Sequence, residues 1–151
     1  MSVCTFIVSD HPLPIHKPSE DHPLEINLDL GTVYDGDADD NFFLHTFKDV
    51  QSYSHKKHGV WLEWRYTDGR AKQILKYIKD ALQYTDFVEL WHVWLTDYYE
   101  YEDSPVIHSQ TIPISELTES HIKELDNAEI WNVSDKTYPN RPSFYRMTIK
   151  R

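Results

Sequence analysis

The sequence predicts an α+β fold, a mostly antiparallel sheet with about two helices packed on it. Three observations carry that expectation. Several stretches alternate apolar and polar residues with a period of two, as half-buried strands do. Two others space apolar residues three and four apart, as amphipathic helices do. The strands come first in a run and only then mix with helices, in the order β-β-β-β-α-β-β-α-β, which suits antiparallel pairing. A length of 151 residues with no shift in composition fits one domain, 1–151.

Val3 to Val8 is a short apolar, β-branched run and reads as the first strand. Pro12, Pro14, Pro18 and Pro23 follow in a polar segment. Each lacks a ladder donor and restricts its predecessor, so this is expected to be an ordered surface loop. Leu24, Ile26, Leu28 and Leu30 alternate with Glu25, Asn27 and Asp29. That is the cleanest strand pattern in the chain and predicts one buried and one wet face. Gly31 to Asn41 reads as an acidic loop, and Phe42 to Phe47 as another strand.

Val60, Leu62, Trp64 and Tyr66 alternate with Trp61, Glu63 and Arg65, a further strand. From Arg70 to about Tyr84, Ala71, Ile74, Leu75, Ile78 and Leu82 form one stripe of a helix, with Asp68 as its expected cap. Arg70, Lys72, Lys76 and Lys79 are expected on its outer surface. Phe87 to Leu95 is apolar on both alternating faces, so it should be a central strand covered on both sides. Val106 to Ile114 is expected to be its antiparallel neighbour. A short helix over Thr118 to Asn127, capped by Thr118 or Ser115, and a last strand over Ser143 to Lys150 complete the reading.

Composition excludes several classes. Four glycines and 40% hydrophobic residues rule out collagen and low-complexity disorder. A net charge of -10 argues against a general nucleic-acid or anionic-membrane binder. The one cysteine, Cys4, cannot form an internal disulfide and fits a reducing compartment. No basic n-region opens the chain and no apolar stretch approaches ~18 residues, so neither a signal peptide nor a spanning helix is expected, and the location should be cytoplasmic.

Charge is segregated along the chain. Pro18 to Phe47 has eight acids and no Lys or Arg, whereas Lys48 to Lys79 carries eight of the fifteen basic residues. Asp35, Asp37 and Asp39 stand at alternate positions and resemble the opening of a Ca²⁺ loop, which would hold a divalent cation through oxygen ligands. The sixth position is Asp40 rather than Gly and the twelfth is Thr46 rather than Glu, so a solvated turn is the plainer reading. No other cofactor is implied. Nine histidines lack the cysteine pairs or HExxH spacing of a zinc site. His92 and His108 would lie opposite each other if their strands paired, which could place two imidazoles in one pocket for proton transfer. Cys4 shares a strand face with Phe6 and Val8 and reads as a core residue. No motif marks a catalytic residue.

The segment Asp97, Tyr98, Tyr99, Glu100, Tyr101, Glu102 and Asp103 is the strongest binding candidate: tyrosines supply contact area, and the acids around them suit a basic partner. The run Asp29 to Asn41 and the segment Trp91 to Pro105 resemble those of small uncharacterised bacterial proteins, a likeness that extends over most of the chain. It implies a bacterial cytosolic protein and brings no activity or cofactor. In size, acidity and α+β pattern the chain is also similar to immunity proteins of bacterial toxin systems, many of which cover a basic toxin surface. The leading expectation is therefore a non-enzymatic binding protein that meets a basic partner through its acidic loops Asp35 to Asp40 and Asp97 to Asp103. The alternative is a divalent-metal protein or small hydrolase using Asp35, Asp37 and Asp39, with His45 moving protons. Monomer and homodimer are both open, the aromatic strands being the interface in the second.

Overall fold

The computed structural model describes residues 2–21, 24–95, 106–126 and 143–151. Within them the α+β expectation holds: two helices and eight strands, mostly antiparallel. The strands are β1 (Ser2–Ser9), β2 (Glu25–Asn27), β3 (Thr32–Tyr34), β4 (Phe43–Thr46), β5 (His58–Glu63), β6 (Phe87–Leu95), β7 (Val106–Pro113) and β8 (Ser143–Lys150). The helices are α1 (Asp68–Ala81) and α2 (Glu119–Asp126). Six strands make one sheet in the order β4-β5-β1-β6-β8-β7, and β2 and β3 make a separate hairpin.

All pairs in the large sheet are antiparallel except β7 with β8. Both β5 and β6 run against β1, so they are parallel to each other across it, and α1 makes the crossover between them. The parallel pair β7 and β8 is likewise joined through α2. A parallel connection needs a crossover of a dozen or more residues, and each helix serves as one. Thus β8 enters between β6 and β7, and the expected direct pairing of Phe87–Leu95 with Val106–Ile114 does not form. β8 is last in sequence and takes the inner place because its own residues Phe144, Met147 and Ile149 are apolar and become buried there.

The helices cover one face. Ala71, Ile74 and Ile78 of α1 and Ile122 and Leu125 of α2 pack on Ile7, Leu44, Val60, Leu90, Met147 and Ile149. The expected helix stripe is correct in these positions, but Arg70 belongs to it too and is 0% exposed rather than superficial. The cap is Thr67 rather than Asp68: the Thr67 hydroxyl accepts from the Arg70 amide at 3.1 Å. At α2, the Thr118 amide donates to His121 Nδ1 at 3.0 Å, so a histidine fills the role that Glu or Gln has in a capping box.

The opposite face is covered by the segment after β4. Phe47, Val50 and Tyr53 lie over Cys4, Phe6, Val8, Trp91, Val93 and Phe144. Phe6 is stacked between Phe47, at 4.4 Å, and Trp91, at 5.8 Å between centroids. One carboxylate fastens this cover: buried Glu89 accepts from Ser54 Oγ at 2.6 Å and from Trp91 Nε1 at 3.1 Å. Because both faces of β1 and β6 are covered, their sequences are near-continuous apolar runs. The aromatic strand β6 is central, and its Val88, Leu90, Trp91 and Val93 are part of the core.

The two sheet edges differ. The four-residue β4 is flanked by the proline-rich loop, where His16 exchanges both backbone bonds with Leu44 at 3.0 Å. Tyr77 of α1 holds that loop by donating to the Pro14 carbonyl at 2.6 Å. Among the described residues, β7 pairs only with β8, and its outer edge carries no strand.

Candidate functional site

The apolar alternation from Leu24 to Leu30 does not form the half-buried strand it predicts. Only Glu25–Asn27 is extended, and Leu28 to Gly31 turns the chain back into β3, a strand inside the expected acidic loop. The turn is set by Asn27, whose Oδ1 accepts from the Leu30 amide at 3.0 Å, and by Gly31 at φ +63°, where a side chain would be strained. In the hairpin Ile26 opposes Val33, Glu25 opposes Tyr34 and Asn27 opposes Thr32. Directly opposed residues share a face. Ile26 and Val33 therefore make one apolar face, and Glu25, Asn27, Thr32 and Tyr34 the other.

Every residue from Leu24 to Tyr34 is exposed. Leu28 is 88% accessible, Leu30 73% and Ile26 60%. Scattered apolar residues on a surface are ordinary, but six large ones within eleven residues form a patch of the kind that marks an interaction site. Its surroundings are acidic. Glu20, Asp21, Glu25 and Asp29 are exposed, and among the described residues none of them forms an ion pair. A shallow groove along the hairpin is lined by Glu25, Ile26, Leu28, Asp29 and Tyr34, so carboxylates and apolar walls meet in one concavity.

The neighbouring carboxylates do something else. Asp35 Oδ2 is 3.0 Å from Nη1 of buried Arg70, and Asp35 Oδ1 is 3.4 Å from Arg65 Nη2. Asp37 also pairs with Arg65. Arg70 is tied down further by bonds to the Ala38 and Arg65 carbonyls, each 3.0 Å. Hydrogen bonding to Arg70, helped by the charges of both guanidiniums, holds the Asp35 carboxyl below its ordinary pKa. Asp39 leans over the start of α1, where a Cβ at Gly69 would collide with its carboxylate. Asp35, Asp37 and Asp39 are thus spread over two guanidiniums and a helix start. No group of three potential ligands able to hold a metal occurs among the described residues. The local turn uses Gly36 at φ +81° and Asp37 at φ +48°, with the Asp35 side chain accepting from the Asp37 amide at 3.2 Å.

The histidines are brought near each other but not together. The register places Thr5, His92, Tyr145 and His108 in one row across β1, β6, β8 and β7, so Tyr145 separates the two imidazoles. His92 is buried with its Nδ1 2.9 Å from Thr5 Oγ1, and burial pulls its pKa down to about 4. It is neutral at pH 7. His108 is exposed and stacks on Tyr145 at 4.9 Å. His45 is also engaged, with Nε2 2.9 Å from Glu63 Oε2 and its ring stacked on Phe43 and tilted against Trp61. The Cys4 thiol is pushed up to about 11 by burial, which disfavours the reactive thiolate. The tyrosine-rich segment Asp97–Asp103 lies outside the described residues.

Sequence reasoning missed the exposure of the hairpin and the two arginines that gather the loop acids. A signal for the second was present: Arg70 precedes Ala71 on the buried stripe, four and eight residues before Ile74 and Ile78. Comparison with known protein families, with curated proteins and with solved structures returned no match. No helix among the described residues is long and apolar enough to cross a membrane.

Proposed function

We propose that this chain is a cytoplasmic, non-enzymatic binding module of the immunity or inhibitor type that docks a basic protein through the β2–β3 hairpin. The observation that supports this reading is the exposed run Leu24–Tyr34, whose apolar side chains project among four acids with no ion-pair partner among the described residues. A two-stranded hairpin on its own is marginally stable in water. Covering its apolar side chains would be worth about 1.5–3 kcal/mol each before ordering costs. Unpaired carboxylates beside them would favour a partner rich in Lys and Arg and speed the encounter. In this reading Asp97–Asp103 is a further acidic, tyrosine-bearing contact for the same partner.

The test compares the wild-type chain with the double variant Ile26→Asp, Leu28→Asp as immobilised bait for proteins of the native host. The expected outcome is a basic protein retained by the wild type, released by salt and lost from the variant. Its purified form should then bind with a Kd raised at least about a hundredfold by the double variant, since two buried anchors are removed. Unchanged affinity in a variant that keeps its wild-type melting curve would overturn the hairpin as the docking element. Charge reversal at Asp97, Glu100, Glu102 and Asp103 then tests the second contact separately.

A further inference from the structure

The second surface of interest is the outer edge of β7, and its chemistry differs from that of the hairpin. We propose that β7 pairs with β7 of a second copy of this chain, antiparallel about a two-fold axis, extending the six-stranded sheet across the dimer. Ile107, His108, Ser109, Gln110 and Thr111 are all exposed, so side chains on both faces of the strand are accessible, and among the described residues no strand pairs with its outer edge. The eight residues from Val106 to Pro113 include no Lys, Arg, Asp or Glu. Their only proline is the last residue. Edge strands usually carry short length, charge, proline or a covering loop, because unpaired backbone N–H and C=O groups otherwise recruit another strand. β4 has two of those guards, and among the described residues β7 has only the proline at its end.

Charge selects the occupant. The chain carries a net charge of -10, so two copies repel over most of their surfaces. The acidic hairpin is therefore suited to a basic partner and unsuited to itself. The uncharged β7 can meet its own copy without opposing like charges. A register centred on Ser109, the middle of the exposed run, sets Ile107 against Thr111, His108 against Gln110 and Ser109 against Ser109. Symmetry also closes the assembly. Adding β7 of one copy to β4 of the next would build an open chain of molecules, but β4 is bridged by His16. Antiparallel self-pairing consumes the open edge of both copies and stops at two, the isologous arrangement of most homodimers.

The experiment is sedimentation of the full chain over a concentration series, with two variants: Ile107→Glu, Thr111→Glu and Ile107→Lys, Thr111→Lys. Both sites are exposed, and matching melting curves verify that the fold is kept. The wild type is expected to reach twice its 18.0 kDa mass. Each variant alone sets like charges against each other, and its dimer Kd should rise at least about tenfold. An equimolar mixture of the two should regain the dimer, because every cross-strand pair is then of opposite charge. A wild type that stays monomeric up to about 1 mM overturns the proposal. So does a dimer that persists unchanged in both variants, or a mixture that fails to regain it.

Discussion

β6 and the β2–β3 hairpin both contain apolar residues at alternate positions, and they end at opposite extremes of the molecule. Val88, Leu90 and Trp91 are essentially inaccessible, whereas Ile26, Leu28 and Val33 are more than half exposed. The difference is not in the residues, since a leucine gains as much from burial in either place. It is in what each strand can reach. β6 lies between β1 and β8, with two helices on one side and the Phe47–Tyr53 segment on the other. Among the described residues the hairpin strands pair only with each other, in a separate sheet. An apolar strand that the fold leaves uncovered is where an external partner can supply the missing layer, and that is why the functional proposal rests there.

Substitutions in the two regions should therefore have very different costs. Leu90→Ala removes a fully buried side chain and should lower unfolding stability by about 3–4 kcal/mol in chemical denaturation. A loss under about 1 kcal/mol would mean that the central strand is not packed as described. Arg70→Ala should cost about 3 kcal/mol, because it strips Asp35 of its buried partner, leaving only the longer contact to exposed Arg65, and frees two backbone carbonyls. Asp35→Asn tests the same pair through pH. The folded-state pKa of Asp35 is lowered, so its contribution is present above the unfolded carboxyl range and fades as pH falls through the folded value. The wild type should thus show an acid loss of stability that the asparagine variant lacks.

His92 sharpens the contrast from the core side. Its pKa falls from 6.5 to about 4 on folding, so the unfolded chain binds the extra proton between those values. Stability is complete above the unfolded pKa and declines as pH drops from there toward 4, by up to about 3 kcal/mol. His92→Asn should flatten that decline in denaturant melts recorded at several pH values, and an unchanged slope would remove the histidine as its source. The smallest effect belongs to the hairpin. Leu28→Ser should alter stability by no more than about 0.5 kcal/mol. A cost of about 2 kcal/mol or more would show that Leu28 packs on the body of the protein and would end the contrast with β6.

Much of this architecture was readable along the chain. The stripe Ala71, Ile74, Ile78, Leu82 announced α1 because helix periodicity is written into consecutive residues. The two-sided apolar content of Phe87–Leu95 announced a covered central strand for the same reason. The candidate site was half legible. Its residues, its alternation and its acidity were all visible, but the alternation was read as a buried face. The loop acids were read as possible ligands because a sequence shows carboxylate spacing and does not show that Arg65 and Arg70 are brought back against them.

The amino-acid sequence by itself determined the local periods: which residues share a face, where glycine and asparagine turn the chain, and which segments are uncharged or acidic. The tertiary structure alone decided which faces are covered, that β8 enters between β6 and β7, and that Arg70 is buried against Asp35. Periodicity is a property of neighbours in the chain, set by backbone geometry within a few residues. Coverage depends on segments tens of residues away competing for the same apolar surface, and that competition left the hairpin and the edge of β7 without a partner among the described residues.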